Sequence, residues 1–246
     1  MIKILSGNTV DRICLDEETM DALENGGLIY MPDLRFPFLA HEQNLLSPSI
    51  LPKDAKNISY DPRFKALKAF DHDHDLSIPL KNMLQRYATF SKSLLMTLFP
   101  HYESALTMAR TSYRPVEIAG RVAPSFRKDD TRLHVDAFPA SPNQGRQLLR
   151  VFSNVNPTHQ PRVWRVGEPF EQVVEHFKQK LTLPWVFSKH VLQALHITRG
   201  LRTSYDALML QLHDAMKADT HYQATVAQQQ VELNGTWIVF TDQVSH

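Results

Sequence analysis

The sequence contains almost no cysteine and no long apolar run. Cys14 is the only cysteine among the 246 residues, so neither an internal disulfide nor a cysteine-based metal site can form, which suits a reducing compartment. The first residues lack the apolar core and small-residue cleavage site of a signal peptide. No stretch reaches the 18 or so apolar residues that a membrane-spanning helix needs. We therefore expect any membrane contact to be peripheral.

An excess of charge of either sign is also missing. Lys and Arg number 27 and Asp and Glu number 26, for a formal net charge of +1. This balance argues against a protein that binds nucleic acid by broad neutralisation of phosphates, although it allows a local basic pocket for a small anion. The length fits one sizeable domain, or one domain with a smaller N-terminal cap.

The N-terminal part, residues 1–110, is predicted to be a mixed α/β region that packs on the core. The run GGLIYMP (26–32) has the pattern of a buried strand that ends at Pro32. Apolar residues recur at helical spacing over 77–100, where Pro79 fits the first turn and Pro100 ends the helix.

From residue 111 onward, short β-like runs predominate, and the region 111–246 is predicted to be the catalytic core. The predicted strands are 112–120, 132–138, 147–156, 161–169 and 236–242. A helical insertion (170–220) would contain helices at 170–181 and 204–219, the second with Ser204 as N-cap. Asn234-Gly235 predicts a tight hairpin turn. The pattern favours an α+β fold with a double-stranded β-helix, a jelly-roll or cupin-like core with flanking helices.

The strongest chemical pattern is His134-Val135-Asp136 on one of these predicted strands. Residues i and i+2 of a strand point to the same side, so both side chains can face one metal. Two histidines and one carboxylate are the ligand set of non-heme Fe(II) oxygenases. His246, after the late strand, is the best third ligand. A lone His-x-Asp is more often a surface His near an Asp, and only the surrounding strands favour the metal site.

A second cluster of possible ligands is the run Asp71-His72-Asp73-His74-Asp75. It precedes the helix predicted near Pro79, so we interpret it as a solvated loop whose acids complement the helix N-terminus. Four helical histidines have no partner at ligand spacing and are interpreted as structural: His176, His190, His196 and His213.

Several arginines on the predicted strands suggest an anion pocket. Arg150 shares a face with Arg146 if its strand is regular, and Arg162 shares a face with Trp164. Arg114 lies on the strand before the metal pattern. An Arg on an apolar strand is costly to bury unpaired, and its planar fork suits a carboxylate. A solvated outer face remains an alternative for each single arginine, whereas Arg150, Arg162 and Trp164 together favour a pocket.

Long segments of the sequence resemble the Kdo hydroxylase family: RLHVDAFPASPNQGRQLLRVFSNVNP, PRVWRVGEPFE, SYDALMLQLHDAMKAD and TWIVFTDQVSH. The resemblance implies an Fe(II)- and 2-oxoglutarate-dependent dioxygenase that uses O₂. It would hydroxylate C3 of 3-deoxy-D-manno-oct-2-ulosonic acid (Kdo) in the Kdo-bearing lipid A precursor of lipopolysaccharide, giving Ko.

On this resemblance the metal ligands and catalytic residues fall on His134, Asp136 and His246, and the pocket residues on Arg114, Arg150, Arg162 and Trp164. It also implies a cytoplasmic enzyme, with peripheral contact at the inner face of the inner membrane, and no protein partner. In many such enzymes the carboxylate-binding Arg follows the distal His. Because the sequence stops at His246, we expect further residues beyond it.

Two other classes of function stay open at the level of sequence. A metal-dependent cupin enzyme, such as an isomerase or a dioxygenase without a cosubstrate, would share the barrel but not need 2-oxoglutarate. A non-catalytic barrel could bind an anionic sugar through its arginines and would hold no stoichiometric metal.

Overall fold

A computed structural model describes residues 1–53, 55–71, 74–116, 123–185, 192–195 and 197–246. The strands are β1 (Ile2–Ile4), β2 (Leu28–Met31), β3 (Ile58–Asp61), β4 (Ala66–Lys68), β5 (Thr111–Tyr113), β6 (Leu149–Ser153), β7 (Arg162–Val166), β8 (Gln229–Leu233) and β9 (Thr236–Phe240). The α-helices are α1 (Glu17–Glu24), α2 (Ser77–Leu98), α3 (Phe170–Phe177), α4 (Ser204–Ala218) and α5 (Thr220–Thr225). Short 3₁₀ helices lie at Val10–Arg12, Ala40–Leu46, Pro48–Ile50, Pro100–Tyr102, Phe126–Lys128 and Lys178–Lys180. The fold is thus mixed α+β, as predicted.

The largest sheet has the order β1-β2-β9-β6 and joins strands from the two ends of the chain. β1 and β2 are parallel, whereas β9 is antiparallel to both β2 and β6. One face carries Ile29, Met31, Ile238 and Phe240, which pack against the C-terminal half of α2. Segments from both sides of the predicted boundary at residue 110 therefore meet in one sheet.

A second sheet, β4-β3-β5, packs on the first half of α2. Leu80, Met83 and Leu84 of the helix contact Tyr60 and Tyr113 of the sheet. The helix predicted for 77–100 is confirmed over Ser77–Leu98, and it supports both sheets because its apolar residues cover more than one side.

The third sheet pairs β7 with β8 and lies against the other face of the four-stranded sheet. Val166 and Leu233 of this ribbon share a buried cluster with Leu28, Trp237 and Val239. On β7, side chains alternate between this interior and solvent, so Val163 is exposed while Val166 is buried. The space between β6 and β7 is therefore lined by side chains from two facing sheets.

Helices α3, α4 and α5 cover the segment that carries the His-x-Asp pattern. Leu133, Val135 and Ala137 are buried against Val173, Phe177, Met209 and Leu212 of these helices. The N-cap of α4 lies one residue before the predicted position. Thr203 accepts from the Asp206 backbone N–H and Asp206 bonds back to the Thr203 N–H, so Thr203 and not Ser204 is the N-cap.

The predicted hairpin at Asn234-Gly235 is wrong. β8 pairs with β7, whereas β9 pairs with β2 and β6, so the chain passes from one sheet to another at this point. A side chain at Gly235 would place its Cβ 2.1 Å from the Met31 carbonyl oxygen. Glycine is thus required here by close backbone approach and not by the turn type that the sequence suggested.

Two other predicted strands differ from the structure. Residues 132–138 form no strand; their backbone hydrogen bonds go to the backbone of Thr241 and His246 and to the Gln223 side chain. The predicted strand 112–120 corresponds to β5 at Thr111–Tyr113, and residues 117–120 lie outside the described part of the chain. No helix among the described residues has the length and apolar character to cross a bilayer.

Candidate metal centre

Three side chains that are distant in sequence meet at one point of the structure. Each of His134, Asp136 and His246 offers one ligand atom, and these atoms all lie within 4.8 Å of one another. The His134 Nε2 and Asp136 Oδ1 atoms are 3.9 Å apart, and the two imidazole rings have centroids 5.0 Å apart. The three predicted ligands are therefore brought together at a spacing that a single metal ion can bridge.

Backbone pairing explains how residues 134 and 246 meet. His134 N–H donates to the His246 carbonyl at 3.0 Å, and His246 N–H donates to the His134 carbonyl at 2.9 Å. Asp136 N–H donates to the Thr241 carbonyl. Since Leu133, Val135 and Ala137 point into the helices, alternation places His134 and Asp136 on the opposite side, facing His246.

Both imidazoles are held by a carbonyl oxygen at the nitrogen far from the cluster. His134 Nδ1 lies 2.7 Å from the Arg132 carbonyl, and His246 Nδ1 lies 3.2 Å from the Val244 carbonyl. A carbonyl can only accept, so each Nδ1 carries the proton and each Nε2 keeps its lone pair. This is the arrangement that orients metal-binding histidines and fixes their tautomer.

The charges of the cluster also match those of a metal site. Burial, together with the His246 and Lys217 charges, lowers the pKa of His134 well below its usual value. Burial likewise lowers the pKa of His246. For Asp136, burial alone would raise the pKa, but Arg150 and the two imidazoles lower it to a value below its usual range. Near neutral pH the site therefore presents two neutral imidazoles and one carboxylate.

Arg150 from β6 holds the other oxygen of the carboxylate. Its guanidinium lies 2.7 Å from Asp136 Oδ2, and its Nε donates to Thr241 Oγ1 at 3.0 Å. The guanidinium also sits 5.6 Å from the centre of the Phe138 ring. Asp136 Oδ1, the atom turned toward His134, remains available as a single carboxylate ligand, so the donor set fits a 2-His-1-carboxylate metal site.

The other predicted pocket residues surround the same space. The Trp164 ring lies 5.0 Å from the His246 ring and packs against Phe152 and Trp237. Arg162, two residues before Trp164 on β7, shares its inward face. Arg114 is more exposed, although the packing around its guanidinium lowers its pKa, as do the charges of Arg150 and Arg162. By contrast, Arg146 precedes β6, is exposed and donates to Thr107.

Sequence reasoning missed several neighbours of the cluster. His213, interpreted as structural, has its ring edge-on to His134 with a centroid distance of 5.2 Å. Asp242 is buried and lines a small polar cavity with Asp136, Asn143 and Tyr205. His213 has no partner at ligand spacing in the sequence, and no local pattern indicated what it would contact.

The competing ligand candidates did not gain support. In the run 71–75, His72 and Asp73 lie outside the described residues, as do His190 and His196. His176 pairs with Glu168 at 2.9 Å, near Tyr222. Among the described residues, the cluster of His134, Asp136 and His246 is the group of three with metal-binding spacing.

Comparisons with known proteins agree with this geometry. The family model described as 3-deoxy-D-manno-oct-2-ulosonic acid (Kdo) hydroxylase matches residues 10–246. A crystal structure of the Kdo hydroxylase KdoO, a non-heme Fe(II) alphaketoglutarate-dependent dioxygenase, in complex with cobalt(II) is 44% identical with a TM-score of 0.93. The similarity covers 99% of this chain and 83% of that one.

Two further KdoO structures give nearly the same values. One holds alphaketoglutarate and Fe(III), and the other holds succinate and Fe(III); each is 43% identical with a TM-score of 0.92. Each similarity covers 99% of this chain and 83% of the other. No curated protein matches the chain significantly. The extent of the family match and the identity to these structures together establish that the chain belongs to the Kdo hydroxylase family.

Proposed function

We propose that this protein is an Fe(II)- and 2-oxoglutarate-dependent dioxygenase that hydroxylates Kdo. The position is C3 of the Kdo in the Kdo-bearing lipid A precursor of lipopolysaccharide, and the product is Ko. The observation that carries the proposal is the meeting of His134, Asp136 and His246 within 4.8 Å, with the Arg150 guanidinium paired to the carboxylate. The KdoO structures with alphaketoglutarate and with succinate support the choice of cosubstrate.

His134, Asp136 and His246 would hold the iron on one face and leave the opposite face open to cosubstrate and O₂. The bound iron supplies the oxidative chemistry that couples decarboxylation of 2-oxoglutarate to hydroxylation. The protein supplies the geometry: carbonyls of Arg132 and Val244 keep the Nε2 atoms directed into the site. Arg150 keeps Asp136 ionised and pairs with its Oδ2 atom, so Oδ1 would be the oxygen that binds the metal.

The arginines would receive the negative charge of the two organic acids. 2-Oxoglutarate and Kdo both carry carboxylates, which the planar guanidinium binds through paired hydrogen bonds. Arg150 and Arg162 face the space between the sheets, Trp164 gives it an apolar wall beside His246, and Arg114 lies within electrostatic range of both arginines. We assign these four residues to binding of cosubstrate and substrate.

We infer that the two facing sheets form a double-stranded β-helix core, within a catalytic region of 111–246 on which the N-terminal region 1–110 packs. Support comes from the position of the site between β6 and β7, one strand from each sheet. Ligand sites in the mouths of such barrels are typical of this architecture.

Product analysis tests the function directly. Purified protein with Fe(II), 2-oxoglutarate, ascorbate and Kdo-lipid A precursor should release succinate and give a product one oxygen atom heavier. His134→Ala and Asp136→Ala should stop both reactions, and the cobalt-loaded wild-type protein is the matched inactive control. Turnover without 2-oxoglutarate would favour another class of cupin enzyme. Tight sugar binding without stoichiometric metal or turnover would favour a binding barrel.

We further propose that the protein is cytoplasmic and meets its lipid-linked substrate at the membrane surface. Leu183, Trp185, Leu195 and Ile197 each expose more than half of their surface. The segment that carries Ile197 is tied to the loop after the metal ligands, because Arg199 N–H donates to the Ala140 carbonyl at 3.0 Å. Exposed Trp and Leu side chains, with Arg199 and Arg202 close by in the sequence, suit the interface of an anionic bilayer.

Vesicle sedimentation tests this contact. Binding to phosphatidylglycerol vesicles should exceed binding to phosphatidylcholine vesicles, and Trp185→Ala should weaken it. Phe64→Ala is the matched control, since Phe64 is an equally exposed aromatic residue elsewhere on the surface. Equal sedimentation of the wild type and Trp185→Ala would contradict the assignment.

A further inference from the structure

The segment that carries His134 makes backbone hydrogen bonds along one edge. The backbone groups on its other edge need hydrogen-bond partners as well. Toward the metal site it bonds to the backbone of His246 and Thr241. On its other edge no strand among the described residues pairs with it, yet the Leu133 side chain is fully buried. Buried backbone groups must find hydrogen-bond partners, because leaving them unpaired is costly.

A single glutamine takes the place of the missing strand. The Gln223 Oε1 atom accepts from Leu133 N–H at 2.8 Å, and its Nε2 donates to the Leu133 carbonyl at 2.8 Å. The same Nε2 donates to the Met216 carbonyl at 3.0 Å, in the last turn of α4. The side-chain amide thus makes the two bonds that a neighbouring strand would make, and anchors them to a helix.

This contact controls a peptide group that touches a metal ligand. The Leu133 N–H belongs to the same planar peptide unit as the Arg132 carbonyl, and the two point in opposite directions in a trans peptide. That carbonyl accepts from His134 Nδ1 at 2.7 Å. When Gln223 holds the N–H, it also fixes the carbonyl that sets the tautomer and orientation of the His134 ring.

We propose that Gln223 is a positioning residue for the metal site, acting through the Arg132–Leu133 peptide on His134. The inference rests on the proposed role of His134 as a ligand. Arg132 adds a second restraint, because its guanidinium donates to the Lys217 carbonyl at 2.7 Å. The group that bonds directly to a ligating histidine, here the Arg132 carbonyl, typically changes metal affinity by about 10- to 100-fold when its contact is lost.

The test compares two glutamines that make the same kind of contact. On α4, Gln211 accepts from Thr182 N–H at 2.9 Å and donates to the Thr182 carbonyl at 2.9 Å. Both substitutions to Met keep the length of the side chain. Each removes the pair of bonds to a backbone N–H and carbonyl, and Gln223→Met also removes the bond to the Met216 carbonyl whereas Gln211→Met removes the one from the Thr182 hydroxyl. Co(II) titration should show roughly 10-fold or greater weakening for Gln223→Met, with altered Co(II) absorption bands. Gln211→Met should bind Co(II) like the wild type.

A second variant separates positioning from stability. Gln223→Glu keeps an acceptor for Leu133 N–H but gives up the donated bonds, so it should unfold at a lower temperature while keeping Co(II) affinity closer to the wild type. A Gln223→Met protein that binds Co(II) with unchanged affinity and spectrum would overturn the proposal, as would equal losses of affinity in the Met and Glu variants. The His134→Ala variant tests the underlying assignment. Unchanged Co(II) binding in that variant would show that His134 is not a ligand, which is a different failure from unchanged binding in Gln223→Met.

Discussion

At the scale of single residues, the site works because burial and pairing select one charge state for each group. His134 and His246 are buried beside a carboxylate yet stay neutral, since the loss of hydration outweighs the attraction of Asp136. Asp136 stays ionised because Arg150 compensates its burial. The metal therefore need not displace protons near neutral pH.

The metal-free protein should lose stability as the pH falls from 7.5 to 5.5. Folding lowers the pKa of His134 and His246 below the unfolded value of about 6.5, so the unfolded chain binds more protons in this window and is stabilised relative to the folded protein. Each such histidine contributes up to about 1.4 kcal/mol per pH unit. Asp136, whose pKa is lowered, stabilises the fold throughout this window. That contribution is lost only when the pH falls below about 4.

Thermal unfolding in a chelator across this pH range measures the effect. A His134→Gln, His246→Gln double variant should show a shallower dependence of the unfolding temperature on pH. The same slope in the wild type and the double variant would place the titrating groups elsewhere.

Arg162→Ala should raise the apparent KM for 2-oxoglutarate by about ten-fold or more, or remove activity. Hydrogen bonds to charged groups contribute about 1.5–3 kcal/mol, which corresponds to this range. Arg165→Ala is the matched control, because Arg165 lies on the outward face of the same strand and donates to Gln228. Steady-state succinate release measures both. If Arg162→Ala kept the wild-type KM and rate, Arg162 would lie outside the pocket.

At the scale of elements, the site depends on two facing sheets and the passage of the chain between them. β8 and β9 are consecutive, but each pairs with a different sheet, so Gly235 lies where the sheets meet. Its carbonyl also accepts from Asn154 N–H at 2.9 Å. This crossing brings β9, and after it His246, to the site, while β8 holds β7 with Arg162 and Trp164 in place.

Gly235→Ala should destabilise the fold by about 1–3 kcal/mol or more, since the added methyl would meet the Met31 and Pro32 carbonyl oxygens and backbone cannot give way cheaply. Urea unfolding measures the change. At Gly200 the nearest atom to an added Cβ is the end of the Gln144 side chain at 3.5 Å, so Gly200→Ala should be tolerated. Equal midpoints for the two variants would contradict the crowding at Gly235.

At the scale of the whole molecule, the three proposed metal ligands come from segments that are far apart in the sequence. His134 and Asp136 lie on the extended segment under the helices, and His246 follows the strand at the centre of the largest sheet. A metal bound by all three exists only in the folded state. Its binding free energy is therefore added to the stability of the fold.

Co(II) at about 100 times its dissociation constant should stabilise the protein by roughly 2.7 kcal/mol, or about 5–10 °C in the unfolding temperature. Scanning calorimetry with and without Co(II) measures the shift. Asp136→Ala and His246→Ala should show almost none, because each removes a ligand. A full shift in either variant would mean that the stabilising ion binds elsewhere.

The sequence alone predicted the three candidate ligands and determined many of the elements. His134 and Asp136 share a side because alternation in an extended chain is local, and the helix at Ser77–Leu98 and strand at Leu28–Met31 follow from periodicity and proline positions. The shared face of Arg162 and Trp164 is equally local. Such features depend on residues a few positions apart, which is the range over which a sequence pattern carries information.

Only the tertiary structure decided how these elements are joined. Asn234-Gly235 has the local chemistry of a hairpin, yet pairing with β2, β6 and β7 overrides it and places Leu233, Trp237 and Val239 in one buried apolar cluster. The segment 132–138 is not a strand, and its backbone bonds go to Thr241, His246 and the Gln223 side chain. Contacts between residues about a hundred positions apart, such as His134 with His246 or Leu133 with Gln223, leave no periodic trace in the sequence.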